Sequence, residues 1–497
     1  MDIKAESDWG RRCTAAVLAV LSICLGAYVV VFVLPVFYRR LTFPGVLEHQ
    51  ESMTIFLLHR MSQGVGNLYQ MPSLHTGSVI YNPAYFFYLW ALHPIIGDHA
   101  VPIRIASVVP PLLLCAVLIE IIGRKQMHLR WLGVAWAFVS LALYPLVTWI
   151  DLARLEAMLL LSIVLVWYTL CLDDNWRPKW VLVGLAVAFS FAVKQPGALF
   201  VAAPLMLAIV DRRYLISVAT AIGGIAAFVA AMVLWFGEPY LYFAFTEPSR
   251  HPLSIGQAVE YLQDIVALAP LILFGPLITI IRGFDLGSSH GKLLLVSTLT
   301  FLISAMGAGK AGGSLTQYVI MLLVAAIPAA EWLRLGVRGF DRASTRFGIA
   351  VCIVLAYSIL ITEVHDYGQR VRPRRLDREQ QAALLEVVRS VPGETWVTTW
   401  THIDLWAKHP VFAPLSPVGF SMAEKEIEDA IRSRRFSLIV ISPAREKKLS
   451  IVDLVKSHYH FCFSMPMRDF GSQLFLPTEV WARSAEEREL VLKAKLE

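Results

Sequence analysis

Long apolar runs separated by short polar connections fill the first 363 residues. A bilayer crossing needs roughly 17–25 predominantly apolar residues. About eleven spans are predicted on that basis, near 13–37, 101–122, 131–149, 152–171, 180–193, 197–210, 215–236, 263–282, 292–308, 317–333 and 346–363. The fifth and sixth are short and meet at Lys194-Gln195-Pro196-Gly197. They read as two half-spans or as one interrupted hairpin, an irregularity tolerated at that depth only where protein packs it or it lines a wet cavity. The longest break in the series, 38–100, is a polar loop directly after the first span.

After about residue 363 the pattern changes. A polar linker, R-V-R-P-R-R-L-D-R at 370–378, leads into strand-like segments at 395–400, 436–442, 460–465 and 472–477. Helical segments at 422–435 and 451–458 lie between them, and such alternation predicts a small α/β domain. It holds no Gly-rich phosphate loop and no metal-spaced His/Cys set, so a cover or docking role is expected rather than a second active site. The predicted fold class is a polytopic α-helical membrane protein of about eleven transmembrane helices with a C-terminal soluble α/β domain, divided at 1–363 and 364–497.

Composition agrees with that division. The chain is 57% hydrophobic and 16% charged, against roughly 45–50% and 25% in soluble domains. Its net charge of +6 is too small to argue for nucleic acid, and in a membrane protein Lys and Arg mainly set orientation. Lys4, Arg11 and Arg12, then Arg124, Lys125 and Arg130, then Arg212 and Arg213, then Arg334, Arg338, Arg342 and Arg346 fall on alternate connections, with Arg39 and Arg40 against the trend. The expectation is a multi-pass protein of the plasma or inner membrane with a cytoplasmic N-terminus and an extracytoplasmic C-terminal domain. The first apolar run is too long for a signal-peptide core and reads as a retained helix. Of the six cysteines only Cys462 lies in the polar region, so no disulfide framework is implied.

Candidate chemistry concentrates on the outer side. Glu48 and Glu51 stand in E-H-Q-E-S at 48–52, and in a helix a spacing of three would put both carboxylates on one face. They are either solvated loop acids or proton acceptors tuned by apolar surroundings. Tyr81 and Asn82, before Pro83 in Y-N-P-A-Y-F-F-Y, are placed to border a cavity, whereas Phe86, Phe87 and Tyr88 fit an interfacial aromatic belt. Arg104, Arg154, Lys194 and Lys310 are cations at outer membrane ends. Each alone is explained by snorkelling, but as a set they suit a phosphate-bearing ligand. Glu156 follows Arg154 by two residues, either as a local ion pair or as a ligand contact. G-A-G-K-A-G-G-S-L-T-Q-Y at 307–318 surrounds Lys310 with glycines and ends in Gln317 and Tyr318 without forming a nucleotide loop. Asp173-Asp174 lies on the predicted inner face and reads as solvated.

Taken in order, the acids after the first span, Gly64, Gly66 and Tyr69, the stretch Tyr81-x-Pro83-x-Tyr85, P-I-R-I-A-S at 102–107, A-R-L-E at 153–156, V-K-Q-P-G at 193–197 and G-S-L-T-Q-Y at 313–318 resemble the GT-C superfamily of integral-membrane glycosyltransferases. The resemblance is closest to the protein mannosyltransferase and aminoarabinose transferase branch and covers most of residues 10–363. It implies a polyprenyl-phosphate-linked sugar donor and action on the non-cytoplasmic face. By distance to Gly64 it ranks Glu51 first as the catalytic acid and Glu48 second. The family often has Asp-Glu where this chain has Gln50-Glu51, and Asn where it has Gln317, so a divalent metal is left open.

The implied function is an inverting sugar transfer to an acceptor hydroxyl on a glycan, lipid or protein. A carboxylate would take the proton, while Lys194, Lys310, Arg104 and Arg154 would stabilise the departing phosphate. Tyr81, Asn82, Glu156, Gln317 and Tyr318 would contact substrate, and membrane lipids are the other partners. Two alternatives stand beside it. A transporter or flippase of a lipid-linked saccharide would also want outer cations and a broken helix, although no inverted repeat is visible. A non-catalytic assembly subunit would keep the fold without the base.

Overall fold

The structure, a computed structural model, describes residues 26–71, 73–76, 79–123, 152–250, 252–268, 289–310, 372–398, 400, 402–408, 420–442, 449–469 and 474–496, with a few positions between 16 and 24. The expected spans near 131–149, 317–333 and 346–363, and most of the one near 263–282, lie outside these residues.

The apolar runs fold as helices. After α1 (Leu34–Leu41), the expected polar loop is largely helical, with α2 (His49–Gln63) and α3 (Ala84–Ile96). α4 (Ala100–Gly123), α5 (Glu156–Leu170), α6 (Pro178–Val193), α7 (Ala202–Leu207), α8 (Tyr214–Phe236), α9 (Ile255–Leu268) and α10 (Ser289–Gly309) follow. α6 packs between α5 and α8, and α4 packs on α5. Among the described residues α4 and α8 are each long and apolar enough to cross a membrane, with mean hydropathies of 2.1 and 2.2. Only 17% of the most apolar window of α8 is covered by protein. So apolar a surface left uncovered is stable in lipid rather than in water.

The fifth and sixth predicted spans are one interrupted element. α6 stops at Val193, Lys194 is extended at φ −153°, ψ 135°, and a 3₁₀ turn over Gln195–Val201 precedes α7. Gly197 lies so close to the Ser190 backbone that a Cβ there would overlap it, which is why the chain can fold back at this point.

The C-terminal region is a three-layer α/β/α unit. Strands β1 (Thr395–Val397), β2 (Leu438–Ile441), β3 (His460–Asp469) and β4 (Leu474–Ala482) form one sheet in the order β1-β2-β4-β3. β1 is parallel to β2; the other pairings are antiparallel. The period-two alternation sorts side chains to two faces. Val397, Leu438, Val440 and Val480 join Leu384, Val387 and Val491 in a core that is continuous with the helical region. Trp396, Ile439, Ile441 and Trp481 form a second core with Ile427, Ile431, Val452 and Val455. The first core is covered by α11 (Arg375–Ser390) and α15 (Ala485–Leu496), the second by α13 (Phe420–Arg432) and α14 (Leu449–His458). The short helix α12 (His402–Ala407) lies between β1 and α2. The expected linker at 370–378 is shorter than its charge suggested. Asp377 accepts the Arg374 N–H (2.6 Å) and starts α11 inside it.

Asp404 of α12 gives this unit a pH signature. Its carboxyl is fully buried, accepting the Thr395 hydroxyl (2.6 Å) and the Val397 N–H (2.9 Å). Burial outweighs these bonds and raises its pKa from 3.8 to about 7. The folded state therefore holds a proton that the unfolded state has released. This group's contribution is full below about pH 4 and is lost as pH rises through about 7. In Asp404→Asn, the amide oxygen can accept from Val397 while its N–H donates to the Thr395 hydroxyl. The Asn variant is expected to unfold at a higher temperature than the parent at pH 8, with the gap closing towards pH 5. A gap of equal size at both pH values would contradict a buried neutral carboxyl.

Candidate active site

The acids after the first span sit at the start of α2 in different roles. Glu48 is the N-cap, with extended backbone at φ −155°, ψ 148°, and its Oε2 accepts the N–H groups of Gln50 (2.9 Å) and Glu51 (3.2 Å). A cap side chain turns away from the helical face, so the shared face expected from their spacing does not form. Oε1 of Glu48 accepts from Arg154 Nη1 at 3.2 Å.

Glu51, one turn into the helix, faces the protein. Its Oε1 accepts Arg104 Nε (2.6 Å) and the Ala153 N–H (3.4 Å). Its Oε2 accepts Arg104 Nη2 (2.7 Å) and the Leu47 N–H (2.8 Å). The remaining Arg104 donors go to the carbonyls of Arg40, Phe43 and Gly45. A guanidinium has five N–H donors and a carboxylate about four acceptor positions, so both groups are saturated by protein. Both are also completely buried. Arg104, expected to bind a donor phosphate, spends all five of its N–H donors on protein acceptors in this structure. Glu51, ranked first by its distance to Gly64, likewise has its acceptor positions taken by protein donors.

The loop before α5 is pinned to α2. Ala153 gives its N–H to Glu51 and its carbonyl accepts the Thr54 hydroxyl at 2.7 Å. That grip presents the next residue, Arg154, to Glu48, and Arg154 Nε also donates to Glu156 Oε2 at 3.2 Å. The guanidinium thus bridges two carboxylates, and all three side chains are at most 14% exposed.

Tyr81 completes the group. Burial, then the charge of Glu156, and also that of Glu48 with Arg154 opposing, push its hydroxyl up to about 12, so Tyr81 is within electrostatic reach of the bridge. Lys194 Nζ stands 4.9 Å from the centre of the Tyr81 ring, a cation–π contact. Lys194 also lies within electrostatic reach of Glu156, Arg154 and Lys310. Among the described residues no hydrogen-bond acceptor meets its ammonium. Lys310 Nζ donates to the Pro248 carbonyl at 3.2 Å. Gln317 and Tyr318 lie outside the described residues.

Two cross-links flank the Lys194–Tyr81 contact. Asn82 donates to the Phe191 carbonyl at the end of α6 (2.5 Å) and accepts from Tyr240 (3.0 Å). Gln195 donates to the carbonyls of Ile80 and Ala244, each at 2.9 Å. Asn82 is therefore part of the scaffold, one residue from the ring that faces the site. Gln195 was visible in V-K-Q-P-G but carried no chemical signal of its own.

The chain superposes on known membrane glycosyltransferases. ArnT from Cupriavidus metallidurans matches both in the apo state and bound to undecaprenyl phosphate, at 11% and 12% identity, with 93% of this chain and 98% of that chain covered and a TM-score of 0.57 in each case. The chain has the GT-C fold. The archaeal oligosaccharyltransferase AglB from Archaeoglobus fulgidus, in complex with an inhibitory peptide and a dolichol-phosphate, shares that fold at 11% identity, covering 98% of this chain and 78% of its own with a TM-score of 0.53. No protein-family model and no curated protein matches the sequence. With this fold and the uncovered apolar surface of α8, the chain is a membrane protein.

Proposed function

We propose that the protein is a glycosyltransferase that moves a sugar from a polyprenyl-phosphate donor to an acceptor hydroxyl at the outer membrane face, with inversion. The observation that carries this reading is the convergence of Glu48, Arg154, Glu156 and Lys194, from three separate segments, around Tyr81. ArnT with undecaprenyl phosphate and AglB with a dolichol-phosphate support the donor class.

In this reading Glu48 is the base. Its Oε1 receives the proton of the acceptor hydroxyl as the hydroxyl oxygen attacks the anomeric carbon, and the bond from that carbon to the phosphate oxygen breaks. The polyprenyl phosphate leaves with the electron pair. Lys194, held against Tyr81 and with no acceptor on its ammonium among the described residues, stabilises the charge developing on the phosphate, and Lys310 adds to the field. Arg154 holds Glu48 in place. Glu156 anchors Arg154 and balances Lys194.

The binding half of this proposal is tested without turnover. Lys194→Ala is expected to weaken polyprenyl-phosphate binding to the purified protein by about 10-fold or more, the scale of one charge-assisted contact. Lys194→Arg should keep part of the affinity. Unchanged affinity in Lys194→Ala would remove Lys194 from the phosphate site.

A further inference from the structure

Glu48 lies in a short segment held from outside at Val46, Glu51 and Ser52. The hold on Glu51 comes from Arg104 of α4, and the other two come from the C-terminal unit. Gln381 of α11 accepts the Val46 N–H on Oε1 at 2.9 Å and donates from Nε2 to the Val46 carbonyl at 2.6 Å. One side-chain amide thus satisfies both backbone groups of a single residue two positions before the acid. Gly45 makes room for it, since a Cβ there would overlap the Gln381 amide. On the other side, the Ser52 N–H bonds the Glu48 carbonyl at 3.1 Å. The Ser52 hydroxyl meets His402 Nδ1 at 3.0 Å and accepts the His402 N–H at 3.2 Å. Burial, then the Arg104 charge, lowers the His402 pKa to about 3, so the ring is neutral at ordinary pH and this contact does not titrate.

Docking alone does not call for these bonds. Leu384, Val387, Trp400 and Ile403 already share an apolar core with Leu47, Ile55 and Leu58. What the polar contacts add is register, because they fix the backbone two residues before and four residues after Glu48. We propose that the C-terminal unit is a positioning part of the transfer site, with Gln381 and His402 acting through the Val46–Ser52 segment to hold Glu48 against Arg154. This rests on Glu48 being the base.

The test uses the full chain in lipid nanodiscs with a polyprenyl-phosphate sugar. Because a displacement of about 1 Å can lower a rate about 10²-fold, Q381A/H402A is expected to lower kcat by roughly 10- to 100-fold. KM for the donor and the affinity for polyprenyl phosphate should stay within about 3-fold, since Lys194 is untouched. Amide exchange should quicken at 46–52 and stay unchanged in α5 and α6. Gln381→Glu keeps the acceptor for the Val46 N–H but loses the donor, so it should fall between parent and double variant even if the double variant does not fold. A parental kcat in Q381A/H402A or in Gln381→Glu, with Glu48 still essential, overturns the positioning role alone. Transfer that survives Glu48→Gln overturns both this inference and the functional reading beneath it.

Discussion

Glu48→Gln is expected to lower the rate of polyprenyl-phosphate release by about 10²- to 10⁴-fold, the range that a positioned general base contributes. The substitution keeps an oxygen that can cap the N–H groups of Gln50 and Glu51, so the start of α2 should survive with a loss of at most about 1–2 kcal/mol. What it removes is the negative charge facing Arg154 and the site that accepts a proton. Donor affinity should therefore change little, because the phosphate is held by Lys194, and the loss should appear in kcat. Glu48→Asp retains the charge but withdraws it by one methylene, and an intermediate rate is expected. If release in Glu48→Gln stays within 10-fold of the parent, another group takes the proton.

The second large effect concerns stability. Arg104→Ala leaves the Glu51 carboxylate completely buried without its cation, a situation that costs about 3–5 kcal/mol. It also strips the carbonyls of Arg40, Phe43 and Gly45 of their guanidinium donor, and so loosens the approach to α2. A marginally stable chain is expected to lose most of its folded population, seen as a collapse in monodisperse protein after extraction. Replacing both partners, as in Arg104→Met with Glu51→Leu, should recover part of the loss because no uncompensated charge remains. Recovery should be incomplete, since three carbonyls still lack that donor. An Arg104→Ala variant that unfolds like the parent but binds polyprenyl phosphate poorly would return Arg104 to the phosphate site.

How much of this was legible in the sequence depended on whether the signal was local. The helices at 100–123 and 214–236 follow from apolar runs of bilayer length, and the break at Lys194 follows from Gln-Pro-Gly. In the C-terminal unit β1 and β2 lie inside the segments read as strands, whereas β3 and β4 run on to Asp469 and Ala482, beyond the segments at 460–465 and 472–477. α2 was not, because H-Q-E-S-M-T-I-F-L-L-H-R mixes polar and apolar residues around its whole circumference. Its buried Glu51, Ser52 and Thr54 bond partners far along the chain, so no apolar stripe marks its face. Its N-cap is Glu48 rather than the Ser, Thr, Asp or Asn that usually marks a helix start, so its N-terminus carried no standard signal either.

The site was legible in residue type but not in role. Glu48 and Tyr81 were candidates from their places in the long outer loop, Arg154 and Lys194 as cations at outer helix ends, and Glu156 from its spacing to Arg154. Which acid pairs with which arginine is a long-range fact. Glu51 and Arg104 are 53 residues apart, and nothing in the intervening chain reveals that they saturate each other. Gln381 and His402 were hidden for the same reason, since their partners lie 335 and 350 residues away.

The central claim is that Glu48 and the cations around Tyr81 move a sugar off a lipid phosphate. It is tested most directly by incubating the purified chain in nanodiscs with a polyprenyl-phosphate sugar and hydroxyl acceptors, and measuring free polyprenyl phosphate and glycosylated acceptor together. The two products should appear in equal amounts and vanish together in Glu48→Gln. Movement of the intact donor across the bilayer with no free polyprenyl phosphate, or equal product from parent and Glu48→Gln, would contradict it.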